Sequence, residues 1–210
     1  MNFQPLEYIY KSSGNAEAYT LLLLHGTGGD EKDLIPLSKE FGTDFNVLSL
    51  RGNVSENGMP RFFKRLGMGI FDEEDLEFRT NEMAFFLEEI AVEKGFDIKK
   101  IVALGYSNGA NIAGSLLVLQ SDFLAGAILF RPMNPFKDKI PAALNREVPI
   151  FLSSGKFDPT VNPEATEKYI SMLKNAGFKV SHPEINAGHN LTQDDLELSV
   201  GWFKDNFRIG

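Results

Sequence analysis

Apolar and polar positions follow two rhythms along this chain. "YTLLLLHG" is a continuous apolar run, the pattern of a strand buried on both faces. "FNVLSLRG", "KKIVALGYS", "LAGAILFRP" and "VPIFLSSGKFD" read the same way, "KVSHPEI" as a last strand, and Leu6 to Lys11 as a weakly alternating one. Helical spacing fills the gaps. Asp33 to Phe41 predicts a short helix, and Asp72 to Glu93 a long one with Met83, Phe86, Leu87, Ile90 and Ala91 on one stripe. Four acids open that long helix and Gly95 suits its stop. Asn108 to Gln120 predicts a third helix, rich in small residues. Asn162-Pro163 opens a fourth that ends near Gly177, and Thr192 caps a last one with Leu196, Val200, Phe203 and Phe207 inward. Residues 53–71 show no clear period and are predicted as loop. Strands alternating with helices imply an α/β class: a mainly parallel central sheet with helices on both faces. With 210 residues and no internal repeat, one domain over 1–210 is expected.

Composition narrows the function classes. The net charge is -8, so no basic stripe is available for a nucleic-acid backbone. The absence of cysteine excludes disulfides, thiolate metal sites and a Cys nucleophile. The N-terminus lacks the basic-then-apolar pattern of a signal peptide, and the aliphatic run Leu21 to Leu24 is far too short to span a bilayer. A cytoplasmic, soluble protein is expected, with a homodimer left open.

Chemistry enters at "GYSNG". Ser107 stands between Gly105 and Gly109, after a strand and before a helix. A sharp strand-to-helix turn leaves little room, and glycines on either side remove the side chains that would clash. This is the nucleophile elbow, G-x-S-x-G. A capping serine in a turn would need only one glycine. A serine hydroxyl also needs a base. Of three histidines, His182 lies within a strand pattern and His25 ends the first buried run. His189, in "INAGHNLT", is the one that fits the chain order Ser, Asp/Glu, His. Asp158 in "GKFDPTV" is the acid directly after a strong strand between the two. An Asx turn before Pro159 accounts for the aspartate singly, but not for all three residues falling in order at strand ends.

Acyl transfer needs donors where negative charge develops. The backbone N–H of Asn108 comes with the elbow. The glycine-rich "HGTGGDE" supplies a second, assigned to the N–H of Thr27. Asp30, Glu31 and Asp33 read as acids near a helix start rather than a metal site, and His25 as a residue shaping this loop. Met59, Phe62, Phe63, Met68, Phe71 and Met133 are the candidate walls of a pocket for an acyl or aryl group. Arg61, Lys64, Arg65 and Arg131 offer positive charge to the substrate, or simply a solvated face.

Together "LHGTGGDE", "RGNV", "GYSNGA", "GKFDPTV" and "AGHNL" resemble the phospholipase/carboxylesterase family of α/β-hydrolases, which includes bacterial carboxylesterases and acyl-protein thioesterases. The likeness runs from about Leu21 to Phe207. It implies an α/β-hydrolase fold with little or no lid, a triad on Ser107, Asp158 and His189, oxyanion donors on Thr27 and Asn108, and no metal or organic cofactor. Short apolar loops leave no obvious large lid, so a small, soluble ester is the expected substrate. Thioesterase members carry leucine and glutamine where this chain has Thr27 and Asn108, which weakens the thioesterase reading. A small-molecule receptor on the same fold is the alternative of another class.

Overall fold

The computed structural model describes residues 3–207. Its sheet is built from β1 (Tyr8–Lys11), β2 (Thr20–Leu24), β3 (Asn46–Leu50), β8 (Ile101–Tyr106), β9 (Gly126–Phe130), β10 (Val148–Gly155) and β11 (Phe178–Ser181), with the two-residue β12 (Glu184–Ile185) also on β10. The order is β1-β3-β2-β8-β9-β10-β11. Only β1 runs antiparallel, on the edge beside β3. Every residue of β2 and β9 is buried, as continuous apolar runs demand.

Alternation along β2 explains the burial. Leu22 and Leu24 pack on one face with α2 (Glu73–Lys94), α3 (Asn108–Leu119) and α4 (Pro163–Asn175). Leu21 and Leu23 pack on the other with Phe41, Phe45 and α5 (Gln193–Asn206). The helix punctuation works as the residue types require. The Asp72 side chain accepts from the N–H of Asp75, Asn162 does the same for Ala165, and Gly95 ends α2 at φ +72°.

Three expectations are corrected. The helix over Asp33 to Phe41 is one α-turn, α1 (Ile35–Ser38), continued by a 3₁₀ turn, because Pro36 fits only a first turn and Gly42 ends the run at φ +116°. The last strand is split into β11 and β12 at Pro183, which has no N–H for the ladder. Residues 53–71 are not structureless. They form two small hairpins, β4 (Val54–Glu56) with β5 (Met59–Arg61) and β6 (Arg65–Gly67) with β7 (Ile70–Phe71). Asn57 and Gly58 turn the first, both at positive φ, and Gly69 (φ +69°) the second.

Candidate active site

Ser107 follows β8 directly and precedes α3. Its φ is +50° and ψ -108°, a conformation that side-chain-bearing residues seldom adopt and that costs on the order of 1–3 kcal/mol. The neighbourhood enforces it. The Ser107 N–H donates to Phe130 O at 2.9 Å, and Ser107 O accepts from Asn111 N–H at 2.9 Å. A Cβ on Gly105 would strike the backbone of Gly109, and one on Gly109 would strike the carbonyl of Leu24. Both glycines are therefore needed for this turn to close against β2.

The structure brings Ser107, His189 and Asp158 into one line. His189 Nε2 lies 2.9 Å from Ser107 Oγ, and His189 Nδ1 lies 2.6 Å from Asp158 Oδ2. With a proton on Nδ1 donated to the carboxylate, Nε2 is the acceptor that faces the serine hydroxyl. Asp158 divides its work between its oxygens. Oδ1 accepts from the N–H and hydroxyl of Thr160 at 2.8 and 2.7 Å, which is the Asx turn, while Oδ2 serves the imidazole. Burial by itself would raise the Asp158 pKa; the bonds from Thr160 and His189 outweigh it and hold the carboxyl below its ordinary range.

The loops carrying the acid and the histidine are stitched together by backbone. Lys156 N–H donates to Ile185 O and Phe157 N–H to Ala187 O. A second device, which residue patterns did not suggest, holds the histidine loop from beneath. Arg131 is fully buried and makes a bidentate pair with Asp195 at 2.7 and 2.8 Å. The same guanidinium donates to the carbonyls of Gly188 and Asn190, on either side of His189. Asp195 also completes the capping box of α5 with Thr192. Arg131 is thus neither a solvated cation nor a free charge for substrate. Its φ of +56° directly after β9 is the kind of conformation no composition pattern announces. Thr160 was missed for a similar reason: only the folded chain puts its hydroxyl 2.9 Å from His189 Nδ1.

Thr27 and Asn108 sit beside Ser107 in the same cavity. Asn108 is the first residue of α3, so its N–H has no intrahelical acceptor. No protein group accepts from the Thr27 N–H among the described residues. The first hairpin grips both residues. Gly28 N–H donates to Pro60 O, Arg61 Nη1 donates to Thr27 Oγ1 at 2.6 Å, and Phe62 N–H donates to Asn108 Oδ1 at 2.8 Å. Three consecutive residues of one segment thereby fix the spacing of the two candidate donors. His25 braces the same loop: its Nδ1 bonds to Gly26 O and its Nε2 accepts from Gly52 N–H. Burial lowers its pKa and keeps it neutral for both bonds.

The cavity at Ser107 has a volume of about 290 Å³. Met68, Phe71 and Met133 line it, with Arg61, Arg65, Tyr106 and Thr160. Phe62 and Phe63 do not. They are 2 % and 0 % exposed and belong to the main core, in the same cluster as the buried residues of α2, α3 and α4. Met59 stands beside Gly28 rather than in the cavity wall. Glu31 is an ion-pair partner of Arg51. Among the described residues no cluster of His, Asp and Glu could hold a metal ion, and no helix is long and apolar enough to cross a membrane.

Residues 8–200 match the family model described as phospholipase/carboxylesterase. The chain is 43% identical over 201 residues to the Bacillus subtilis protein MhqD, named as a hydrolase, covering 95% of this chain and 98% of that one. A crystal structure of the Bacillus cereus carboxylesterase superposes with a TM-score of 0.93 at 45% identity, over 96% of this chain and 95% of the other. A structure of YahD with malic acid superposes with a TM-score of 0.89 at 29% identity, over 96% and 99%.

Proposed function

The chain belongs to the phospholipase/carboxylesterase family of α/β-hydrolases, and from that premise we propose that it is a carboxylesterase that cleaves small esters by two-step acyl transfer on Ser107. One observation carries this reading: the unbroken run of hydrogen bonds from Ser107 Oγ through His189 to Asp158, opening on a cavity. Ser107 Oγ attacks the ester carbonyl carbon while His189 Nε2 takes its proton. Asp158 orients the imidazole and stabilises its cation. The oxyanion is met by the N–H groups of Thr27 and Asn108, with the positive end of α3 behind Asn108. His189 returns the proton to the departing alcohol. Water, activated by the same histidine, then releases the acid and regenerates Ser107.

The cavity volume lies at the low end for ligand pockets, which favours short acyl groups over lipid chains. The thioester of an acylated protein is the competing acyl donor. A panel of ethyl esters and matched thioesters of rising acyl length separates the two. The expected result is a kcat/KM that peaks at short acyl esters and vanishes in Ser107→Ala. A steady rise toward long-chain thioesters would assign the thioesterase activity instead.

A further inference from the structure

We propose that Arg61 and Arg65 form an anion subsite in the cavity beside Ser107, and that the preferred ester is the monoester of a short dicarboxylic acid. The proposal rests on the acyl-transfer reading above and names its substrate class.

Four cations lie near the site, and the structure sorts them. Lys64 is largely exposed and its ammonium faces Asp75 at 3.6 Å, away from the cavity lining. Arg131 is consumed by Asp195, Ser153 and two carbonyls. Arg61 and Arg65 remain, and both line the cavity. They share a single carboxylate: Glu56 Oε2 is 3.3 Å from Arg61 Nε and Oε1 is 2.9 Å from Arg65 Nε. Two cations against one anion leave one positive charge at the cavity wall.

That charge is built in rather than incidental. The Arg61 side chain is only 4 % exposed. Its Nε donates to Phe63 O and its Nη1 to Thr27 Oγ1, while no protein group accepts from Nη2 among the described residues. Burial depresses its pKa, the Arg65 charge adds to this, and Glu56 opposes it. Arg61 lines the cavity, so the unclaimed Nη2 donor is available to an anion bound there. The protein carries a net charge of -8, so the local excess does not come from a generally basic surface. Arg131 also lines the cavity but is neutralised by Asp195, and Asp158 is already compensated by Thr160 and His189. Met68, Phe71 and Met133 supply apolar wall for the methylenes between ester and carboxylate.

The overall reaction adds water across the acyl C–O bond. The alcohol leaves with a hydrogen on its oxygen, and the half-ester becomes a dicarboxylate plus one proton. That proton is what a pH-stat records. Monoethyl glutarate and ethyl pentanoate differ by a terminal carboxylate against a methyl group, so their ratio of kcat/KM isolates the anion. The native chain is expected to favour monoethyl glutarate by about tenfold or more, a preference that shrinks as salt is raised. Arg65→Gln is expected to collapse the ratio by about tenfold, and Arg65→Lys to retain most of it. A native ratio of one or less, or a ratio unmoved in Arg65→Gln, overturns the subsite while ethyl pentanoate turnover keeps the acyl-transfer reading intact. If neither ester is cleaved, both fall.

Discussion

The strand ends that carry Ser107, Asp158 and His189 contrast with the segment over residues 54–71 that grips the candidate oxyanion loop. The first region is framework. β8 and β10 are buried parallel strands, and their turns are fixed by backbone bonds and by glycines that tolerate no Cβ. The second region is two hairpins of two- and three-residue strands outside the main sheet. Its tip residues are among the most exposed apolar groups of the protein, Leu66 at 75 % and Met68 at 78 %. Yet it supplies the bonds to Thr27, Gly28 and Asn108 and lines the cavity with Arg61, Arg65, Met68 and Phe71. The framework places the candidate triad; the hairpins set what surrounds it. A rigid sheet can place three groups from distant parts of the chain, while short surface hairpins can change without disturbing it.

The contrast can be broken in either region. The largest effect is expected in the framework. Asp158→Asn keeps the Oδ1 acceptor of the Asx turn and replaces only the oxygen that faces His189. It should melt within a few degrees of the parent and lose at least about a hundredfold in kcat at neutral pH, since losses on the order of 10⁴ accompany the wrong tautomer. A drop in melting point with turnover within about a factor of three would make Asp158 structural, and the division of labour drawn above would be wrong.

The hairpin region should respond more gently. Thr27→Val keeps the backbone N–H and the shape but removes the oxygen that Arg61 holds. Deleting an oxyanion donor outright costs about 10²–10³ in kcat, so loosening one is expected to cost about tenfold, in kcat and not in KM, on a neutral ester. An unchanged kcat would reduce the hairpin to a cavity wall with no part in setting the donors.

The two regions also differed in what the amino-acid pattern disclosed. The framework was legible because buried parallel strands need unbroken apolar runs, and because a glycine-flanked serine at a strand end has few other uses. The elbow, the acid and the histidine were each assigned from such local context. The hairpins were hidden because two- and three-residue strands carry no period to count. A signal was present all the same: Asn57-Gly58 is the dipeptide a tight hairpin demands, with both residues at positive φ. Phe62 and Phe63 looked like pocket walls by chemistry alone, and only their burial in the fold shows them to be core. Arg131 and Asp195 are 64 residues apart, and nothing local in either segment announces that they meet.

The central claim is that Ser107 is the nucleophile, and a fluorophosphonate tests it most directly. Serine hydrolases take this probe as a covalent adduct on the activated hydroxyl. Mass spectrometry of the treated protein, intact and after digestion, should find one adduct on the peptide containing Ser107, and none in Ser107→Ala folded to the same melting point. An adduct on any other serine, or an unmodified protein after prolonged treatment, would contradict the account.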